Sequence, residues 1–196
     1  MAYSDFTMPQ VQERFGLSIN DYADLFGEVA PVEPPAGLAD LLARFVPLAS
    51  TGNEKLRSEL VVAPVLAEFK IRHKDRVSLF SGIDFVVDKE VGLAGRCDFL
   101  LARSPRQLVL EAPVCVVAEA KNDDLLSGVP QCLAGMVAAQ RFNAAAGHSG
   151  PVFGAATTGE LWRFLRLDGT VARVDATSYP IQDLPKLFGI LSAIAL

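Results

Sequence analysis

Two charged side chains follow an apolar run near the middle of the chain. Residues 114–118 are apolar throughout, and Glu119 and Lys121 come directly after them, separated by Ala120. Because successive side chains of a strand point to opposite faces, Glu119 and Lys121 would project on the same face. Burying an unpaired charge is costly, so both groups must pair, bind a ligand or reach solvent.

A second acid interrupts another apolar segment. Asp98 lies within residues 95–102, whose composition is typical of a strand. If the two strands are antiparallel neighbours, Asp98 can lie beside Glu119. Adjacent carboxylates repel each other unless a cation joins them, and oxygen ligands favour a hard ion over zinc. The pattern therefore favours a Mg²⁺ site at these two acids, for which Mn²⁺ can substitute.

A third acid lies on a predicted helix upstream. Residues 53–74 carry apolar side chains at helical spacing, with Thr51 or Asn53 as the cap, and Pro64 allows a kink or a break. The helical neighbours of Glu59 are mostly apolar. We therefore expect Glu59 to face inward, towards a polar site.

Each acid also has a plainer interpretation. Asp98 or Glu119 can form a structural ion pair with Lys121, and Glu59 can be the partner of Arg96 or Lys121.

The composition is that of a folded, acidic domain. The chain has 196 residues, of which 51% are hydrophobic and 21% charged, and its formal net charge is −5. These values favour one compact domain and count against a constitutive, non-specific nucleic-acid binder, which is usually basic. A local basic groove remains compatible with them.

Histidine and cysteine offer no alternative chemistry. The two histidines, His73 and His148, lack the context of a zinc site or a Ser-His-Asp triad. The three cysteines form no CxxC pair and have apolar neighbours, which predicts buried free thiols. No secretory signal or apolar stretch of about 20 residues is present, so we expect a cytoplasmic protein that does not contact a membrane. The apolar tail 184–196 is expected to be a packed helix or a homodimer face.

The predicted elements form an α/β arrangement, a central mixed sheet flanked by helices. Helices are predicted at residues 11–15, 21–26, 38–45, 53–74, 129–146 and 182–195. Strands are predicted at residues 77–87, 95–102, 108–121, 152–157, 161–167 and 170–175. Residues 1–50 are interpreted as an N-terminal helical extension packed on a main domain at 51–196.

The order of these residues resembles the PD-(D/E)XK nuclease superfamily. Glu59 on a helix, Gly95-Arg96-Cys97-Asp98 on a strand and Glu119-Ala120-Lys121 on the next strand carry the resemblance. Residues 57–64 and 118–122 are also similar to uncharacterised bacterial members. The resemblance implies a restriction-endonuclease-like core of αβββαβ order, which residues 56–164 follow. Cys97 stands in the place of the family's proline, which is often replaced, and we expect it to pack.

The resemblance also implies a ligand set. Asp98 and Glu119 would hold Mg²⁺, with the Ala120 carbonyl as a further ligand. Glu59 would support the metal directly or through water. The bound metal would lower the pKa of a water molecule and neutralise charge on the scissile phosphate. Four cations are candidate phosphate contacts, although each is also consistent with an ordinary surface charge; they are Lys55, Arg57, Arg96 and Arg141.

Two more residues acquire roles in the same way. Lys121 would orient the attacking water or stabilise the transition state. Gln131, at the start of the helix after the catalytic strand, would face the site; its plainer interpretation is a helix-entry hydrogen bond beside Pro130. The implied function is Mg²⁺-dependent hydrolysis of nucleic acid, DNA rather than RNA. The alternative is a catalytically silent module of the same fold, acting in nucleic-acid docking or in protein assembly as a homodimer.

Overall fold

A mixed sheet with helices on both faces forms the body of the protein. The computed structural model describes residues 2–121 and 124–196. The strands in this part of the chain are β1 (Ser18–Ala23), β2 (Ser78–Asp88), β3 (Leu93–Ala102), β4 (Val114–Ala120), β5 (Val152–Thr157), β6 (Leu161–Asp168), β7 (Val171–Asp175) and β8 (Tyr179–Pro180). The helices are α1 (Met8–Phe15), α2 (Leu38–Ser50), α3 (Glu54–Arg57), α4 (Ala63–Arg72), α5 (Gly128–Ala145) and α6 (Leu184–Ala195). Shorter turns are 3₁₀ at Tyr3–Asp5 and Leu125–Ser127, and π-helical at Ser58–Val62.

The strand order is β1-β7-β6-β5-β4-β3-β2, with β8 paired to β6. The β1–β7 and β4–β5 pairs are parallel, and the other pairs are antiparallel. This confirms the predicted α/β class and the mixed sheet flanked by helices. From α3 to β5 the chain runs helix, three strands, helix, strand.

The N-terminal part of the chain contributes a strand as well as helices. The prediction of a helix over residues 21–26 is wrong, because β1 pairs there in parallel with β7. The open edge of β7 offers backbone hydrogen bonds that outweigh a weak local helical pattern. Residues 1–50 are therefore not purely helical, since one of their segments belongs to the sheet.

Apolar side chains fill both faces of the sheet. One face is covered by α2, the π turn, α4 and α6, and its buried members include Val62, Phe69, Trp162 and Phe188. The other face is covered by α1 and α5, and its buried members include Val11, Leu133 and Met136. The apolar residues of α6 are buried inside the chain, which confirms the packed-helix interpretation of the tail. They are therefore not available as a homodimer face.

β4 is an interior strand of the sheet, and all of its residues are buried. It begins at Val114 rather than at residue 108, and Pro113 before it has no N–H to donate to a strand ladder. The cysteines Cys97, Cys115 and Cys132 are buried and free, as predicted. Within the described part of the chain, the helices are too short or too polar to cross a membrane.

Candidate carboxylate and lysine site

Asp98 on β3 and Glu119 on β4 lie side by side. The two strands are antiparallel, with Phe99 opposite Ala118, and one further step along both strands brings Asp98 opposite Glu119. Residues directly opposite each other point to the same face of a sheet. Asp98 Oδ2 accepts a hydrogen bond from the backbone N–H of Ala120 at 2.9 Å, which ties this carboxylate to the end of β4.

Glu119 is sealed from solvent, and one of its oxygens lacks a partner. The residue is 0% exposed. Its Oε2 accepts a hydrogen bond from Gln131 Nε2 at 2.7 Å, whereas Oε1 is buried without any donor. Burial, and then the negative charge of Asp98, raise the pKa of Glu119 well above its ordinary value, and a hydrogen bond that protonated Glu119 can share with Asp98 adds to this, while Lys121 acts in the opposite direction. Buried polar groups are normally satisfied, so an unpartnered carboxyl oxygen is a feature that needs a cause.

Gln131 connects Lys121 to Glu119. Lys121 Nζ donates to Gln131 Oε1 at 2.8 Å, and the amide nitrogen of Gln131 donates to Glu119. Both ends of the amide are used, which fixes its orientation. Within the described residues, Lys121 forms no direct ion pair with Asp98 or Glu119, so the structure has neither of the plain ion pairs considered above. Gln131 faces the site and does more than close the start of α5.

Small residues allow α5 to lie close to the sheet at this point. A Cβ at Gly135 would lie 2.9 Å from Val117 Cγ1, and a Cβ at Gly128 would lie 3.0 Å from Lys121 Cγ. Gly128 and Gly135 are three and four residues from Gln131, so all three share one helix face. The close approach brings the amide of Gln131 to the charged groups. The sequence interpretation missed these glycines, although glycine within an otherwise helical segment is a signal of close packing.

A cavity of about 230 Å³ opens beside Asp98. Its lining consists of Glu54, Lys55, Ser58, Glu59, Ser81, Gly82, Arg96, Asp98 and Ala120. Gly82 stands across from Asp98, because its neighbours Ser81 and Ile83 pair with the neighbours of Asp98. Gly82 has a φ of +61°, and a Cβ there would meet nothing within 4 Å. The space beside Asp98 is therefore open, whereas Glu119 lies behind it.

Glu59 lies on the wall of this cavity but does not join the acid pair. Its carboxylate pairs with Lys55 Nζ at 3.1 Å, and its side chain is 58% exposed. Glu59 is therefore exposed rather than buried, although it faces the same cavity as Asp98, and neither Arg96 nor Lys121 is its ion-pair partner. The cause is the π turn Ser58–Val62, whose extra residue per turn rotates the helix face just before Pro64.

Two of the four candidate phosphate contacts, Lys55 and Arg96, line the cavity. The guanidinium of Arg57 donates to a backbone carbonyl of α2 at 3.0 Å instead. Arg141 pairs with Asp88 at 2.8 Å. Of the four candidate cations, therefore, only Lys55 and Arg96 lie near the site, where Lys121 is a third positive charge.

The acid pair meets part of what a hard divalent cation requires. A cation between the two carboxyls would give Glu119 Oε1 a partner and offset the repulsion that raises the pKa of Glu119. No group of three or more His, Cys, Asp or Glu side chains in the described ranges is arranged to hold a metal. Any further ligands would have to be water or backbone carbonyls, and Ala120 lines the cavity where one would be needed.

Comparison of the sequence with protein-family models and with curated proteins gave no match. The nuclease resemblance therefore depends on the acid pair, on Lys121 and on the order of the elements. A function drawn from that resemblance is a proposal about this chain.

Proposed function

We propose that the protein is a Mg²⁺-dependent nuclease with a restriction-endonuclease-like core, which hydrolyses phosphodiester bonds of DNA. Asp98 and Glu119 are its metal ligands. The observation that carries the proposal is the unpartnered, buried Oε1 of Glu119 beside a second carboxyl. Two neighbouring acids destabilise a protein interior unless something joins them, and perturbed carboxyls of this kind cluster at functional sites.

The residues have distinct tasks in this proposal. A bound divalent cation supplies a water of lowered pKa and neutralises charge on the scissile phosphate. Asp98, half-buried at the cavity and fixed by the amide of Ala120, holds the open side of the site. Lys121 presents an ammonium that Gln131 positions, and this charge orients the attacking water or stabilises the transition state. Glu119 is the buried ligand, on the core side of the site, where it separates the site from the apolar interior.

A catalytically silent module for nucleic-acid docking or protein assembly is the second candidate. The complete burial of Glu119 favours it, since a metal must enter past Asp98 and displace any proton on Glu119. A net charge of −5 also gives weak general attraction for a polyanion. In such a module the acid pair would bind no metal.

Cleavage assays separate the two candidates. Plasmid and single-stranded DNA are incubated with the wild type in Mg²⁺ and in Mn²⁺, with Asp98→Asn and Lys121→Met alongside. The proposal expects cleavage by the wild type and a loss of at least about a hundredfold in both variants. Asp168→Asn is the matched control, because Asp168 is an exposed strand carboxylate paired with Arg166 at 3.0 Å. If the wild type cuts neither substrate with either ion, the module replaces the enzyme.

A further inference from the structure

A second cavity lies beside the start of α5, with a volume of about 590 Å³. Its lining consists of Met8, Gln12, Ile19, Asp21, Leu126, Val129, Pro130, Arg163 and Val174. Most of these side chains are apolar, and the charged ones among them are Arg163 and Asp21. We call this cavity the α5 groove.

Arg163 lies in the same row and on the same face of the sheet as Glu119. Glu119 is opposite Ala156 across β4 and β5, and Ala156 is opposite Arg163 across β5 and β6. Residues opposite each other point to one face, and two strand spacings amount to about 10 Å. The α5 groove therefore extends from the same face that carries the acid pair and Lys121.

The start of α5 separates the groove from the acid pair. A Cβ at Gly128 would lie 3.0 Å from Lys121 Cγ and 3.3 Å from Ala156 Cβ, so helix, lysine and β5 meet at this point. Val129 and Pro130 follow directly and line the groove. A linear polymer with one phosphate at Lys121 would therefore enter the groove just beyond Gly128.

The guanidinium of Arg163 is oriented without being neutralised. Its Nε and Nη2 donate to Ser178 Oγ at 3.1 and 2.9 Å. Within the described residues Arg163 has no ion pair. Ser178 follows β7, so the hydroxyl draws the guanidinium away from Glu119 and towards the far side of the groove. The charge is therefore placed for a second anionic group, distinct from one held at Lys121.

We propose that the α5 groove binds one unstacked nucleotide of a single-stranded nucleic acid, next to the phosphodiester that faces Lys121. Arg163 contacts the phosphate of this nucleotide, and the aliphatic wall formed by Ile19, Val129 and Val174 contacts its base. The inference rests on the proposed nuclease function and names its substrate class. A stacked base in a duplex cannot enter such a groove, whereas a single strand offers unstacked bases. The planar guanidinium suits a phosphate because it donates two parallel hydrogen bonds.

The test is equilibrium binding of a fluorescein-labelled oligothymidylate, followed by anisotropy in EDTA so that no strand is cut. Arg163→Met is expected to raise Kd at least about tenfold, because a hydrogen bond to a charged group is lost. The slope of log Kd against log salt concentration should fall by about 0.7, the value for one phosphate contact on a single strand. The matched control is Arg166→Met, three residues along β6 and on the opposite face, which should leave Kd unchanged. Asp21→Asn should tighten binding, because an exposed carboxylate of the groove is removed.

The outcomes separate this inference from the nuclease proposal. If Arg163→Met has the same Kd as the wild type, or if the wild type does not bind the oligothymidylate, the proposal that the groove binds a nucleotide is refuted. If Arg163→Met does not fold, unchanged affinity in Asp21→Asn overturns it. If the wild type cleaves DNA but Arg163→Met binds the oligonucleotide as tightly as the wild type does, the groove proposal is refuted and the nuclease proposal stands. If Arg163→Met weakens binding but the wild type cuts no DNA with Mg²⁺ or Mn²⁺, the nuclease proposal is refuted and nucleotide binding in the groove stands.

Discussion

Replacing Glu119 with glutamine should stabilise the metal-free protein. The amide has nearly the same size as the carboxyl, and its oxygen can keep the hydrogen bond from Gln131. Its nitrogen can donate towards Asp98 from the position of the unpartnered Oε1. The substitution therefore removes a charge that the interior disfavours and makes permanent a donor that Glu119 offers Asp98 only when it is protonated.

The size of the effect follows from the ordinary pKa of glutamate. At pH 7 the folded wild type carries either a buried charge or the cost of protonating Glu119. The cost of protonation cannot exceed the free energy of protonating an ordinary glutamate at pH 7. Its reference pKa of 4.5 lies about 2.5 pH units lower, and each unit corresponds to about 1.4 kcal/mol. An unsatisfied buried polar group sets the lower limit, at about 1 kcal/mol. We expect the free energy of unfolding to rise by about 1 to 3 kcal/mol, or Tm by about 2 to 12 °C for a domain of this size.

The effect has a defined pH dependence. Because the pKa of Glu119 is raised in the folded protein, the folded state binds this proton more tightly than the unfolded state does. The contribution of Glu119 to stability is therefore fully present below pH 4.5 and is lost as the pH rises towards the folded pKa. The advantage of Glu119→Gln should be close to zero near pH 4.5 and should grow with pH.

Urea unfolding in EDTA, followed by circular dichroism at several pH values, measures the difference. Asp175→Asn is the matched control, since Asp175 is also 0% exposed but has a donor for each oxygen, Thr177 N–H and Tyr179 O–H, both at 3.0 Å. This control should lose about 1 to 3 kcal/mol, because both donors lose a charged acceptor. If Glu119→Gln is destabilised as much as Asp175→Asn, Glu119 is a structural acceptor and its unpartnered oxygen does not weaken the fold.

Three further predictions concern the neighbours of the acid pair. Lys121→Met should abolish cleavage while leaving the affinity for Mn²⁺ unchanged by calorimetry, and a large loss of affinity would make Lys121 a structural partner of the metal site. Gln131→Leu removes the donor to Glu119 and the acceptor for Lys121, so it should cost about 1 to 3 kcal/mol in urea unfolding and at least about tenfold in cleavage rate. Wild-type stability and activity in this variant would refute its positioning role. Gly82→Ala should cost about 1 to 2 kcal/mol, because its φ of +61° disfavours any side chain, and an unchanged urea midpoint would contradict this.

The strand that carries the chemistry could be predicted from local pattern. The apolar run before Glu119 identifies a buried strand, and alternation places Glu119 and Lys121 on one face. The partnership with Asp98 was conditional on antiparallel pairing, which the β3–β4 register supplies. The strand itself and the shared face of Glu119 and Lys121 follow from short-range periodicity, which is visible in the sequence.

Features that depend on distant parts of the chain could not be predicted in this way. β1 forms because β7 presents an open edge, and nothing in residues 18–23 records that edge. The solvent exposure of Glu59 depends on one π turn, a local change of helical period that a regular pattern hides. The row that joins Glu119 to Arg163 runs across three strands, so it becomes visible only once the strand order is known.

A crystal soaked in Mn²⁺ shows whether a divalent cation binds between Asp98 and Glu119. We expect an anomalous-scattering peak between the two carboxyls, at bonding distance from Glu119 Oε1, that is absent in Asp98→Asn. A well-ordered site without that peak, and with Glu119 Oε1 still unpartnered at millimolar Mn²⁺, would rule the metal site out.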